Sequence, residues 1–540
     1  MTKRNRKILI CTLLLAVLAA AAALLLLRGN ADRPQMDRFN RKLKVAEAEG
    51  FCRTTYEIFP WSYCDSDGDG TGDIRGIISK LDYIEDLGFD QIWLTPVHPS
   101  GTYHKYDVDD YYSIDPEFGT IEDYEALLDE CHRRGMTVIM DLVLNHTSVS
   151  NEWFRKASDY LHELPWDWAP DPSYCKYFSY YNFTRVQQDG YAPLDGTNWY
   201  YEARFWSGMP DLNLSCQDVR DEISDIVSFW LGKGVDGFRL DAVIYYNTGN
   251  TEANVEFMKW FCDTCRSVKP DCYIVGEAWT NRNSIAELYR SGIDSLFEFP
   301  FSGGEGHIRN ALSGSLSASD FVAAMVSSEE AYSGYLESYT GAPFYTNHDM
   351  ARSAGYYGSD EGPATKMAYA MSLLMRGCSY MYYGEEIGMK GSGKDENKRA
   401  PMYWSADPSA AGMCSGPPDM DEVTMKFPPA EEQTGDPWSL CSWFRQVIKV
   451  RRAFPAISAG RTEESGLSTD STAVFFRRGG GDDVLIAMNL SAEESTVDLS
   501  TLDGSYSLSA VLNTSDEEIR KEKDLLVLPA YSIAVLTVQD

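Results

Sequence analysis

Eight short apolar runs recur between residues 56 and 383, and a helix-like stretch follows most of them. They cover 56–59, 91–97, 137–144, 237–242, 273–277, 295–299, 344–347 and 379–383. Alternation of strand-sized and helix-sized segments predicts a parallel sheet with helices packed outside it. Eight such units fit an α/β fold of the (β/α)8 TIM-barrel type, although an open doubly wound sheet would alternate in the same way. Polar residues cluster where the runs end: Asp141, His146, Arg239, Asp241, Glu277, His348 and Asp349. In a barrel those are the C-terminal strand ends, where chemistry is carried out.

The barrel is expected over 51–146 and 209–459, interrupted after the third strand. Residues 147–208 hold many aromatic and polar groups with little helical periodicity, which predicts a small irregular domain over the barrel mouth. A second long loop is expected at 391–436, rich in Gly, Pro and Asp. Beyond 460, β-type runs separated by Gly, Asp and Ser turns predict a C-terminal antiparallel β-sandwich domain reaching residue 540.

The N-terminus is of another kind. Lys3, Arg4, Arg6 and Lys7 precede an uncharged apolar run over 8–27. At about 1.5 Å per residue, twenty helical residues span about 30 Å, the thickness of a bilayer core. An uncleaved membrane anchor is the leading expectation for 1–30, and a cleaved signal segment or a buried helix are the other readings. In the first two cases the basic flank stays in the cytoplasm and the rest lies outside, either surface-anchored or secreted. Residues 31–50 read as a tether with a short helix. The chain carries 48 Lys and Arg against 81 Asp and Glu, and five of the basic residues precede position 30. So acidic an exterior repels nucleic acid and anionic lipid, and is indifferent to a neutral polymer. No membrane contact is expected beyond the N-terminal segment, and nothing specifies an oligomeric state. Of twelve cysteines, Cys262, Cys265 and Cys272 lack the spacing of a zinc site; buried thiols with one or two disulfides are expected.

Two constellations carry chemistry. In DSDGDGTGD, residues 65–73, carboxylates recur at Asp65, Asp67, Asp69 and Asp73 with glycines between them. Such crowding favours a bound cation, and Ca2+ suits an all-oxygen donor set. The loop is not an EF-hand, since its twelfth position is Gly76. The second constellation is Asp241 with Glu277. Glycoside hydrolysis needs two carboxyl groups, a nucleophile and a proton donor. Arg239, two residues before Asp241 on a strand, shares its face and would keep it ionised and oriented. An apolar wall around Glu277 would raise its pKa, as a proton donor requires. Asp349 adds a third carboxylate, and His146 and a neutral His348 would donate to sugar hydroxyls. Tyr106 would lie as a platform under the ring.

With these residues in place, the chain over about 50–540 resembles the α-amylase family of glycoside hydrolases. DLVLNH (141–146), GFRLDA (237–242), GEAW (276–279) and NHD (347–349) resemble its four signatures in order and separation. The resemblance implies Asp241 as nucleophile, Glu277 as acid/base and Asp349 as transition-state stabiliser. It also implies that Tyr106, His146, Arg239 and His348 bind the glycone. MPDLN (209–213) resembles the fifth signature of members between oligo-1,6-glucosidases and neopullulanases, and the 65–73 loop resembles their calcium loop. Ala242, small and directly after the nucleophile, goes with α-1,4 preference among related glucosidases. Val243–Ile244 depart from the Lys–His pair of typical α-amylases, which puts the aglycone side in doubt. The expectation is a retaining hydrolase of α-1,4 bonds in starch and maltooligosaccharides, by double displacement. Neopullulanase, cyclomaltodextrinase or exo-α-glucosidase action is the alternative, ahead of transglycosylation or a non-catalytic binding subunit.

Overall fold

The computed structural model describes residues 33–48, 50–479 and 482–539, so the apolar run 8–27 lies outside it. Among the described residues no helix is long and apolar enough to cross a membrane. The strands in chain order are β1 Thr54–Ile58, β2 Gln91–Leu94, β3 Thr137–Leu142, β4 Phe183–Thr184, β5 Tyr191–Pro193, β6 Tyr200–Glu202, β7 Gly237–Leu240, β8 Tyr273–Gly276, β9 Ser295–Leu296 and β10 Ser379–Tyr382. Seven of them form one parallel sheet in the order β10-β1-β2-β3-β7-β8-β9.

The run expected at 344–347 begins earlier and makes only bridges. Ala342 bridges Phe297 and Phe344 bridges Tyr380, both parallel, so residues 342–344 close the barrel between β9 and β10. Pro343 explains the brevity: it has no N–H to give a ladder, yet its carbonyl still accepts from Tyr380 N at 2.9 Å. Trp93, Ile139, Tyr273, Val275, Phe297, Phe344 and Tyr380 fill the interior as one apolar cluster.

Helices cover the outside because their apolar residues recur at helical spacing. Ile121–Arg133 buries Tyr124, Leu127, Leu128 and Cys131, and starts with a reciprocal cap between Thr120 and Asp123. Gln217–Gly232 buries Val219, Ile223, Ile226, Val227 and Trp230 on the same pattern. Cys262, Cys265 and Cys272 are buried thiols, not disulfides.

Between β3 and β7 the insertion carries the helix Glu152–Glu163 and the three-stranded sheet β4-β6-β5. Phe154, Phe178, Tyr181, Phe183 and Tyr201 pack its small core. Its base is sewn to the barrel by the bridge His146↔Asp211 and by Leu212 N donating to Asn145 O at 2.8 Å. The C-terminal region adds β11 Arg461–Glu464, β12 Thr472–Arg478, β13 Val484–Asn489, β14 Ser495–Asp498, β15 Ser505–Asn513, β16 Arg520–Glu522, β17 Leu525–Leu528 and β18 Ser532–Gln539. They form antiparallel sheets in the orders β11-β12-β13-β18-β15 and β14-β17-β16.

Residues 35–42 do not behave as a free tether. The helix Gln35–Phe39 and the turn Asn40–Lys42 dock on β15. There Asn40 exchanges two hydrogen bonds with the backbone of Val511, at 2.8 and 3.1 Å.

Candidate active site

The period of two along the strands builds the site. Register sets Asp141 beside Arg239, and Arg239 beside Val275, two residues short of Glu277. It sets Glu57 between Tyr382 and Trp93. Gly237, which starts β7, is required by the closeness of β8: a Cβ there would lie 2.0 Å from the Tyr273 carbonyl oxygen.

Arg239, fully buried, is the hub. Its Nη1 donates to both Asp141 oxygens at 2.9 Å and to Asp241 Oδ1 at 2.8 Å. Its Nη2 ion-pairs with Glu277 Oε2 at 2.9 Å. One guanidinium thus holds three carboxylates, with Asp241 and Glu277 on its two amino groups. Directly after Asp241 the chain turns through Ala242, whose φ of 50° lies in the left-handed region. That conformation costs an alanine about 1–2 kcal/mol, and it aims the Ala242 N–H at Glu277 Oε2, 3.2 Å away.

Asp349 stands at the mouth. Arg399 Nη2 lies 2.7 Å from its Oδ1, and His348 Nε2 lies 3.1 Å from its Oδ2. Tyr106 stacks against His348 at 5.5 Å between ring centres, and its hydroxyl donates to Asp141 Oδ2 at 3.1 Å. The loop presenting Tyr106 is fixed by Lys105, buried and paired with Asp115 at 2.8 Å and with Glu117. His146 is buried, and its Nε2 lies 3.2 Å from the Tyr106 carbonyl oxygen.

Burial pushes the Glu277 carboxyl up to about 7; Arg239 opposes the rise, and Asp241 and Asp349 add to it. Asp141 rises to about 6 for the same reason, against the same guanidinium. Burial lowers His146, against a rise from Asp241. His348 is a correction to the neutral ring expected from sequence. Burial works against its charge, but Asp349 and the hydrogen bonds to Asp349 and Glu57 raise it to about 10, making it an imidazolium. Burial would raise Asp349, yet His348 and Arg399 hold it well below the usual carboxylate range.

These side chains line a cavity of about 540 Å³, with Tyr106, His146, Asp241, Glu277, Asp349 and Arg399 in its walls. It does not end there. Trp279 and Asp349 also line a neighbouring cavity of about 820 Å³, and His104 and Asp395 also line another of about 840 Å³. Trp279, half exposed, stacks on Phe299 at 4.9 Å. Phe205 and Tyr245, in contact at 5.1 Å, form part of the central cavity's wall.

All seven side chains expected to work together therefore meet at one end of the barrel. Glu57, Asp211 and Arg399 were not anticipated. Glu57 carried a signal, a carboxylate inside an apolar strand. Asp211 sits in MPDLN; it accepts from Asn145 at 3.2 Å, and burial followed by Glu202 raises it to about 7. Arg399 lies in the second long loop, where sequence gives no geometry.

In the 65–73 loop, Asp65, Asp67 and Asp73 each bring an oxygen within 4.8 Å of the others, a donor set able to hold a metal ion. Asp69 does not join them. Its carboxylate turns back to accept from Thr71 N at 2.7 Å. Asp65 accepts from Gly68 N and Gly70 N, and Asp73 caps the helix Ile74–Ser79.

A (β/α)8 barrel with buried carboxylates and guanidinium groups at the C-terminal mouth of an open cleft has the build of an enzyme's catalytic domain. The family model for the α-amylase catalytic domain matches residues 57–460. Alpha-amylase 3 of Dictyoglomus thermophilum is 32% identical over 486 residues, covering 89% of this chain and 92% of that protein. An oligo-1,6-glucosidase of Heyndrickxia coagulans is 30% identical, covering 84% and 94%. Among solved structures, Eubacterium rectale Amy13B superposes with a TM-score of 0.93 at 45% identity, covering 94% of this chain and 100% of that one. The α-amylase from H. orenii superposes with a TM-score of 0.79 at 33% identity, covering 91% and 100%. The chain belongs to the α-amylase family of glycoside hydrolases.

Proposed function

We propose that this protein hydrolyses α-1,4 bonds within starch-type glucans and maltooligosaccharides, with retention of configuration. Asp241 attacks the anomeric carbon while Glu277 protonates the departing oxygen, giving a covalent β-glucosyl enzyme. Glu277 then takes a proton from water, which releases an α product. Asp349 binds ring hydroxyls more tightly as the ring flattens, and that differential binding accelerates the step. Tyr106, His146, Arg239 and His348 hold the glycone. Asp65, Asp67 and Asp73 would bind Ca2+, a hard cation matched to carboxylate oxygens, and brace the loop away from the reacting atoms. The apolar run 8–27 would place the barrel outside the cytoplasm, where polymer is met.

Continuity of the cleft carries the preference for internal cleavage. A substrate bonded across Asp241 and Glu277 has room on both flanks, one past Trp279 and one past His104 and Asp395. A second reading, exo-action on short oligosaccharides, is favoured by similarity to proteins named oligo-1,6-glucosidase and trehalose-6-phosphate hydrolase. A time course on end-blocked maltoheptaose, pullulan and isomaltose separates the two. Internal cuts of the blocked heptaose are expected; glucose released from isomaltose, with the heptaose untouched, would establish the exo reading instead.

A further inference from the structure

Glu57 is a buried carboxylate that the proposed reaction does not use directly. It lies on β1, faces the barrel interior and is 1% exposed. Its Oε1 lies 2.6 Å from His348 Nδ1 and accepts the His348 backbone N–H at 3.2 Å. On the other side of the ring, Nε2 lies 2.7 Å from the Tyr106 hydroxyl and 3.1 Å from Asp349 Oδ2.

Hydrogen-bond accounting constrains the protons. Burial raises the Glu57 carboxyl and its hydrogen bonds with His348 oppose the rise; in its ionised form it only accepts, so Nδ1 then donates to it. The Tyr106 hydroxyl has Asp141 Oδ2 at 3.1 Å and His348 Nε2 at 2.7 Å as partners, and its hydrogen is assigned to Asp141. Its oxygen is then an acceptor toward His348, as is Asp349. Nε2 therefore faces two acceptors and must donate as well. We propose that Glu57 is a positioning residue, which sets the ring of His348 and keeps an N–H on each of its nitrogens, one of them shared between Asp349 and a bound sugar hydroxyl. The inference rests on the functional reading above for the sugar, but the Glu57–His348 pair stands without it.

The surroundings support the charge. His348 faces Glu57 from β1, the edge of Trp93 from β2, Tyr106 from the following loop, and its own neighbour Asp349. Arg399 Nε donates to the His348 carbonyl at 3.3 Å, and Arg239 lies beyond Tyr106. Among the described residues, the carboxyl groups of Glu57, Asp141, Asp241 and Asp349 otherwise have the two guanidinium groups of Arg239 and Arg399 beside them. A third cation at His348 offsets that excess.

Glu57→Gln keeps the volume and removes the charge. The full-length chain, labelled with 13C at histidine Cε1, contains seven histidines, and His348→Gln assigns the signal. In the parent, His348 should remain protonated above about pH 9, well beyond the ordinary value of about 6.5. In Glu57→Gln it should lose its proton between about pH 6 and 9. Over the same interval kcat/KM for maltopentaose should fall ten- to hundredfold below the parent, roughly what loss of a charged hydrogen bond implies. Glu57→Asp, which keeps the charge, should recover part of that loss. Superimposable pH profiles for the parent and Glu57→Gln would overturn the proposal. So would a parent His348 that titrates near 6.5, a result that stands even where the variant fails to fold. Because the titration needs no substrate, it also separates failure of this pair from failure of the glucan assignment.

Discussion

Replacing Glu277 by Gln should separate two classes of substrate by their need for a proton. With its pKa at about 7, Glu277 is about nine-tenths protonated at pH 6, whereas a carboxyl at its ordinary 4.5 would be about one-thirtieth protonated. Burial of this one side chain is therefore worth about thirtyfold in competent acid at pH 6. Removing the acid altogether should cost about 10²–10⁴ in kcat/KM for maltooligosaccharides, whose sugar leaving group must be protonated. α-Maltosyl fluoride expels fluoride without that help, so its first step should lose far less. Its second step still lacks a base, and added azide should restore turnover by attacking the glycosyl enzyme directly. The azide product should be the α anomer. The parent's kcat/KM should decline above about pH 7, and the variant should lack that limb. Equal losses on both substrates, with no effect of azide, would refute Glu277 as the proton donor.

Chelation should lower the melting temperature, because Asp65, Asp67 and Asp73 would be left facing one another; an unchanged melting curve would mean that the backbone amides around Asp65 and Asp73 suffice. Glu298→Gln should stabilise the protein increasingly with pH. Burial, then Glu329, push Glu298 up to about 8, against Arg477 and Arg376. A carboxyl raised in the folded state leaves stability intact below about 4.5 and lowers it as pH climbs toward 8, by about 1.4 kcal/mol per unit. Melting temperatures of the parent and Glu298→Gln should coincide near pH 4.5 and separate by pH 8; a gap independent of pH would contradict the burial. Lys105→Met should cost about 3–5 kcal/mol in denaturant unfolding by stranding Asp115 in the interior, and should raise KM by loosening Tyr106; a silent variant would show that the loop is held otherwise.

The barrel was legible because its period is coarse. Strand-sized apolar runs ended repeatedly in charged residues, and Arg239 with Asp241 declared a shared face by their spacing of two. The seventh barrel position was placed a few residues late, since Pro343 leaves bridges where a ladder was expected. The charge of His348 was half legible, because Asp349, its immediate neighbour, raises it most. The second carboxylate against its ring, Glu57, stands 291 residues away in sequence. Asp69 alternated correctly with its loop partners, but backbone geometry turned it away from them. The docking of residues 35–42 on β15 rests in part on Asn40, a polar residue whose partner Val511 lies 471 positions later.

Covalent capture tests the role of Asp241 most directly. A 5-fluoro-α-glucosyl fluoride, slow to deglycosylate, should add one sugar to the intact protein, and digestion should locate it on the peptide carrying Asp241. No adduct, or one on a different carboxylate, would remove the nucleophile from that position.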